Sequence, residues 1–314
     1  MIDILLEPFS YQFMVVALTT TVIAAIVCAL LSCWLVLMGW SLMGDAVSHA
    51  VLPGVVLAYL LGAPFSVGAL AFGLAAVGLI GVVRDRSAIK EDAAIGIVFT
   101  TLFAFGLVLV SLTPSQVDLG HIIFGSLLGV SLAGFVQVVV LAAVATTLLL
   151  FKRRDLVLYA FDPVHAHAIG LNPRRLGALL LGILALTSVV AMQAVGVVLV
   201  VAMLVIPGAT ASLLSKRFST ILWIAPATAA GCAVVGIWAS YHLDAAPGGM
   251  VVLAQGLLFA AVFVVTRLRS VPAGRSRTNR AAQSVTDTQT ASVATRPSAT
   301  VPVSPTTRTS TASE

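Results

Sequence analysis

The sequence predicts an all-α polytopic membrane protein, and three observations carry that expectation. Of 314 residues, 60% are hydrophobic and 9% are charged, with a mean hydropathy of +1.10, whereas a soluble domain carries about 25% charge. The apolar residues collect in runs of about 18 or more, long enough for a helix to cross a bilayer. The basic residues are confined to a few short connections and the end of the chain. A water-soluble core of this size could not hide so much apolar surface, so lipid is the solvent for most of the chain.

Nine runs fit a span: 13–38, 44–62, 65–83, 93–111, 128–150, 173–193, 196–214, 220–242 and 248–266. The junctions near Gly62 and Gly196 are tight, so eight spans with one re-entrant segment fit as well. The opening MIDILLEPFSYQF lacks the basic stretch of a secretory signal, so the first run is expected to remain as a span.

The charges orient this set. All 17 Lys and Arg fall in four places: Arg84, Arg86 and Lys90; Lys152 to Arg154 with Arg174 and Arg175; Lys216 and Arg217; and the arginines from Arg267 onward. With nine spans, all four lie on one side, which the positive-inside rule makes the cytoplasm. The other side then holds Asp3, Glu7, Asp118, His121, His242 and Asp244 and no basic residue. The net charge of +5 is therefore a topology signal, and nucleic acid is not an expected partner.

Residues 1–269 form the expected transmembrane domain. Beyond them, 270–314 are rich in Ser, Thr, Pro and Ala without apolar periodicity, the composition of a disordered tail, here on the cytoplasmic side. No soluble domain fits between the spans. No GxxxxGK[ST] occurs, nor any Gly-Lys pair, so the chain has no P-loop for ATP. Cys28, Cys33 and Cys232 sit inside apolar runs, an odd number that reads as packing and not as a disulfide framework.

The polar exception is SLMGDAVSHAVLPG, residues 41–54. On a helix, Asp45 and His49 stand one above the other on the same face. Ionisable groups inside a span face a bundle interior, a cavity or each other. One carboxylate and one imidazole make a half-site for a divalent transition metal. Pro53 lacks an N–H, which predicts a bent helix and leaves the carbonyl of His49 as a spare oxygen nearby. The rival reading is structural: an internal ion pair near a helix start, with Asp45 as an N-cap. Two donors are too few for an ion, and a second copy across a two-fold axis would bring four.

The stretch GWSLMGDAVSHAVLPGVVLAYLLG resembles the signature of the membrane subunits of ABC importers for manganese, zinc and iron. Further stretches match that family in order: KEDAAIGIVFTTLFAFGLVLVSL from Lys90, VDLGHIIFGSLLGVS from Val117, FDPVHAHAIGL from Phe161, AVGVVLVVAMLVIPGATASLL from Ala194 and LDAAPGGMVVL from Leu243. The resemblance covers about residues 10–268, and the LPG after His49 is similar to the manganese and iron branch more than to the zinc branch. Met38 stands where many relatives carry a basic residue.

The resemblance implies a type II ABC importer-like permease of eight to nine helices in the bacterial plasma membrane, with a cytoplasmic C-terminus. It implies a second permease copy or a related chain, a cytoplasmic ABC ATPase dimer that hydrolyses ATP, and an extracytoplasmic metal-binding protein or lipoprotein. The permease itself is not an enzyme and holds no permanent cofactor. Its cargo is Mn²⁺, or Zn²⁺ or Fe²⁺ within the same family. Asp45 and His49 match the family's ion-binding pair. A proton-coupled secondary metal transporter remains the rival from another class.

The loop Phe161 to Leu171 starts with Asp162 and Pro163, a helix start with proline at the first position, and ends near Gly170 and Pro173. A short helix in the most basic loop suits an ATPase-coupling element, the use the family makes of it, with Phe161, Asp162, Pro163, His165 and Gly170 as its residues. His165 and His167 are two apart and point to different faces, so they are contact residues and not a ligand pair. Asp118 and His121 form a possible outer entry or gate, with loop capping as the alternative, and Pro53 belongs with the gate as a bend. His242 and Asp244 form an acidic outer rim that favours cations. Gln193 and Gln255 are expected to bond between helices, and Pro207 and Pro226 to kink theirs.

Overall fold

The computed structural model describes residues 11–112, 132–196 and 199–269, and among the described residues every regular element is a helix. In chain order they are α1 (Gln12–Met38), α2 (Ser41–Ala50), α3 (Leu52–Leu60), α4 (Phe65–Arg86), α5 (Glu91–Leu112), α6 (Leu132–Phe151), α7 (Arg153–Phe161), α8 (Pro163–Ala168), α9 (Pro173–Val195), α10 (Val200–Leu214), α11 (Phe218–Leu243) and α12 (Pro247–Arg269). Among the described residues eight segments are long and apolar enough to cross a membrane, with α2 and α3 together counting as one, Ser41–Leu60.

The span expected at 196–214 is the exception. Its helix begins only at Val200 and has 15 residues, about 22 Å at 1.5 Å per residue, shorter than any of the other eight segments. Among the described residues the outcome is eight long segments and one shorter apolar helix. The nine-residue helix α7 was not expected. Its opening Arg153, Arg154 and Asp155 interrupt the apolar run, and hydropathy sees only runs. The tail, the first ten residues with Asp3 and Glu7, and the segment with Asp118 and His121 lie outside the described residues.

Burial sorts the helices. α1, α2–α3 and α9 are the most enclosed, while α4, α5, α6 and α12 turn most of their surface outward. α1 is the hub, packed against α6, α9, α10 and α11. Its end is set by Gly39, whose φ of +73° only glycine adopts freely. There the Trp40 N–H donates to the Leu35 carbonyl at 2.8 Å, closing the helix with a left-handed turn.

Proline effects take specific forms. Pro53 is the second residue of α3, where its missing N–H costs nothing. The chain breaks at Val51, so the expected bend is two helices. The His49 carbonyl is not the spare oxygen expected, because it accepts the Val51 N–H. Pro207 is inside α10, and Ser32 of α1 supports that stretch, accepting the Gly208 N–H at 3.0 Å and donating to the Val205 carbonyl at 3.3 Å. Pro226 lies inside α11.

Close crossings fix the outer layer to the core. Cβ atoms placed on Gly54 of α3 and Gly68 of α4 would each come within 2.1 Å of the other residue's carbonyl oxygen. No larger residue fits at that crossing, which is how membrane helices gain contact without a solvent-driven force. The amide expectation fails for Gln255, which is 2% exposed and has no hydrogen-bond partner among the described residues. An interhelical amide bond exists elsewhere, from Gln137 Nε2 of α6 to Ser66 Oγ of α4. All three cysteines are buried and unbridged, as packing residues should be.

Candidate metal centre

α2 is amphipathic in a membrane sense, with one face built for packing and one for polar chemistry. Met43, Ala46, Val47 and Ala50 are at most 1% exposed. A Cβ at Gly44 would touch Leu204 of α10 at 3.4 Å and Leu35 of α1 at 3.9 Å, so small residues hold this face against both helices. Ser48 turns its hydroxyl back to the carbonyls of Gly44 and Asp45, both at 2.9 Å, and is satisfied within its own helix.

Leu42, Asp45 and His49 occupy the other face by helical spacing. His49 Nδ1 lies 3.1 Å from Asp45 Oδ1 and 3.1 Å from the Asp45 carbonyl oxygen. With the proton on Nδ1, that nitrogen donates to the carboxylate and Nε2 keeps its lone pair. The side chains are 19% and 37% exposed for His49 and Asp45, so the pair is enclosed on its flanks and still reachable. Asp45 is the fifth residue of α2 and Trp40 is the N-cap, so the capping role is excluded and the pair lies inside the helix.

α5 supplies the wall. The His49 ring meets Phe99 and Phe103 edge to face, at centroid distances of 5.5 and 5.4 Å, and those two rings stack at 6.2 Å. Such pairs contribute about 0.5–1.5 kcal/mol beyond their buried area, enough to hold an imidazole in one orientation. A Cβ at Gly106 of the same helix would meet Pro53 at 3.0 Å and Leu52 at 3.1 Å, which shows how closely α5 lies against α3. The aromatic wall is absent from the sequence reading. Its one signal was the i,i+4 spacing of Phe99 and Phe103, which says that they share a face and not which helix they meet.

Among the described residues no group of three or more His, Cys, Asp or Glu comes together. The described residues of one chain thus bring two side-chain donors to this place.

The other sequence candidates fall elsewhere. Asp162 caps α8, accepting the His165 N–H at 2.8 Å, with Pro163 first in the helix. α8 ends at Ala168, and Gly170 follows with a φ of +89°. Ala166 is buried, while His165 and His167 are exposed. Phe161, Val164 and Ile169 are 63%, 80% and 56% exposed, an unusual apolar display in a charged loop. His242 packs on Trp238 at 4.4 Å, and Asp244 takes a left-handed conformation that ends α11. The described residues do not bring either of them to the Asp45 pair.

Comparison with known proteins agrees with this layout. A family model described as the ABC 3 transport family matches residues 10–266. A protein of Haemophilus influenzae named "Probable iron transport system membrane protein" is 49% identical over 269 residues, covering 86% of this chain and 99% of the relative. The manganese transport system membrane protein MntB of Synechocystis is 47% identical over 260 residues, covering 83% of this chain and 85% of the relative. Among solved structures, PsaBC from Streptococcus pneumoniae in complex with Fab superposes with a TM-score of 0.78 at 36% identity, covering 84% of this chain and 95% of that one.

Proposed function

The chain belongs to the ABC 3 transport family, and on that premise we propose that it is the permease subunit of an ATP-driven importer of a divalent metal ion, Mn²⁺, with Asp45 and His49 as its ligands on the path. The observation that carries this reading is the 3.1 Å separation of His49 Nδ1 and Asp45 Oδ1 inside a span.

Ionisable groups kept inside a span mark a functional site by default, and the spacing of this pair suits an ion. With metal–ligand bonds of about 2.1 Å, two donors at right angles lie about 3.0 Å apart, close to the observed separation. The pair can therefore take an ion on Nδ1 and Oδ1 with little movement, once Nδ1 has lost its proton.

Two donors leave an ion undersatisfied. A second permease copy, or a related chain, supplies the matching pair near a two-fold axis. An extracytoplasmic metal-binding protein delivers the ion. Two cytoplasmic ATPases drive alternating access through α8, with the exposed Val164 inside it and Ile169 at its end as the docking side chains. The absence of a P-loop from the sequence fits a division of labour in which this subunit hydrolyses nothing. The assembly lies in the plasma membrane with the basic loops and the C-terminus in the cytoplasm.

Metal choice cannot rest on affinity, because N/O sites bind zinc more tightly than manganese. Selection comes from geometry and from the delivery protein. The test is metal accumulation in cells lacking their own importer, supplied with the whole system carrying wild type, Asp45→Ala or His49→Ala, with Mn²⁺, Fe²⁺ and Zn²⁺ given separately. The reading expects Mn²⁺ uptake that both variants lose at normal membrane levels of the protein. Uptake of Fe²⁺ or Zn²⁺ alone contradicts the manganese assignment, and full uptake in both variants contradicts the site. Co-purification of an ATPase separates this reading from a proton-coupled carrier.

A further inference from the structure

A cleft of about 410 Å³ lies between α7 and the start of α11, lined by Arg153, Arg154, Val157, Leu158, Phe161, Phe218, Ser219 and Leu222. It has the size of a ligand site and a mixed chemistry, with apolar walls and two guanidinium groups. Both arginines are exposed, and neither has an ion-pair or hydrogen-bond partner for its side chain among the described residues. Lys152 beside them is paired with Asp155 at 3.2 Å, so the only acid in α7 is already engaged. Lys216 and Arg217 directly precede Phe218 and add two more cations to the same end of α11.

Position adds to composition. α6 ends at Phe151 and α11 begins at Phe218, and both are candidate spans, so the cleft opens at the level where two spans end. Phe218 is seated edge to face on the buried Trp34 at 5.1 Å, which gives the cleft a firm inner wall. Trp223, a turn and a half into α11, is 79% exposed, as an interfacial tryptophan is.

We propose that this cleft seats an anionic phospholipid of the leaflet at the basic end of the bundle, with its phosphate on Arg153 and Arg154 and part of an acyl chain along Val157, Leu158, Phe161, Phe218 and Leu222. Charge complementarity selects the occupant. Guanidinium groups take phosphate through two parallel hydrogen bonds, and basic pockets between spans on the cytoplasmic side recognise acidic headgroups. The chain's own tail, 270–314, is the wrong sign for this place, with five arginines against Asp287 and Glu314 for a formal side-chain charge of +3. The proposal does not depend on which ion is transported.

Native mass spectrometry of the purified transporter with its partner subunits tests it, using phosphatidylglycerol and phosphatidylcholine with identical acyl chains. The wild type is expected to retain phosphatidylglycerol selectively. Arg153→Gln with Arg154→Gln is expected to weaken that retention about tenfold or more, while Arg174→Gln with Arg175→Gln, an equal loss of charge at the start of α9 and outside the cleft, leaves it unchanged. Should the first double variant fail to fold, Ser219→Trp fills the cleft with both arginines kept and is expected to expel the lipid. Equal retention of the two lipids overturns the proposal, as does equal loss in both arginine doubles. Competition by glycerophosphoglycerol as strong as by the intact lipid also overturns it, because the acyl chain would then play no part. Protection of 153–161 and 218–222 from hydrogen exchange by the ATPase, with none from phosphatidylglycerol, assigns the cleft to the ATPase and overturns it too.

Discussion

Two short helices of this chain each carry a histidine motif, and they are built differently. In α2, Asp45 and His49 are four apart, share a face, and are clasped by Phe99 and Phe103. In α8, His165 and His167 are two apart and both exposed, and among the described residues neither forms an ion pair, while the cap Asp162 is spent on the His165 backbone N–H. Residue type is therefore a poor guide to a ligand. Spacing decides whether two donors can meet, and the surrounding helices decide whether they are held. On the proposed reading, one helix holds an ion and the other meets a protein partner.

The comparison breaks most visibly at α2. Asp45→Ala or His49→Ala removes one of two donors, and Mn²⁺ uptake is expected to fall by at least the 10- to 100-fold, in rough terms, that loss of a mere outer-shell partner costs. Immunodetection in membranes checks that the protein level holds. The wall comes next. Phe99→Ala or Phe103→Ala frees the His49 ring, and loss of about 0.5–1.5 kcal/mol raises the half-saturating ion concentration about two- to tenfold, read from uptake against Mn²⁺ concentration.

At α8 the effect is smaller and of another kind. Asp162→Ala removes a cap worth about 1 kcal/mol, and ATP-driven uptake is expected to drop severalfold while Mn²⁺ binding to the purified transporter is unchanged. Asp162→Asn, which still caps, retains uptake. Smallest is His165→Ala with His167→Ala. Exposed substitutions of this type stay within about 0.5 kcal/mol, so Mn²⁺ affinity should shift by no more than about twofold in the same binding assay.

Much of this was readable in the sequence because lipid imposes one strong rule on a spanning segment. The run at 173–193 became Pro173–Val195, and that at 65–83 became Phe65–Arg86, carrying its two arginines into the last turn. The start of α8 was legible because Asp-Pro has a single good use at a helix end. The Asp45 and His49 contact was legible because i,i+4 geometry is local.

What stayed hidden was tertiary. No rule of period says that Phe99 meets His49, 50 positions away, or that Gly54 and Gly68 cross backbone to backbone. α7 was missed because a charged opening stops a hydropathy count, though it does not stop a helix. The spare carbonyl at His49 was a sound inference from Pro53 for an unbroken helix, and it failed because the chain instead turns at Val51.

The central claim is that Mn²⁺ is held by His49 and Asp45. The most direct measurement is pulsed electron paramagnetic resonance of the purified transporter loaded with Mn²⁺, read for nitrogen-14 modulation from a coordinated imidazole. The account predicts clear nitrogen modulation in the wild type and in His165→Ala with His167→Ala, and its loss in His49→Ala. Modulation that survives His49→Ala, or a bound ion with no nitrogen signal in the wild type, would contradict it.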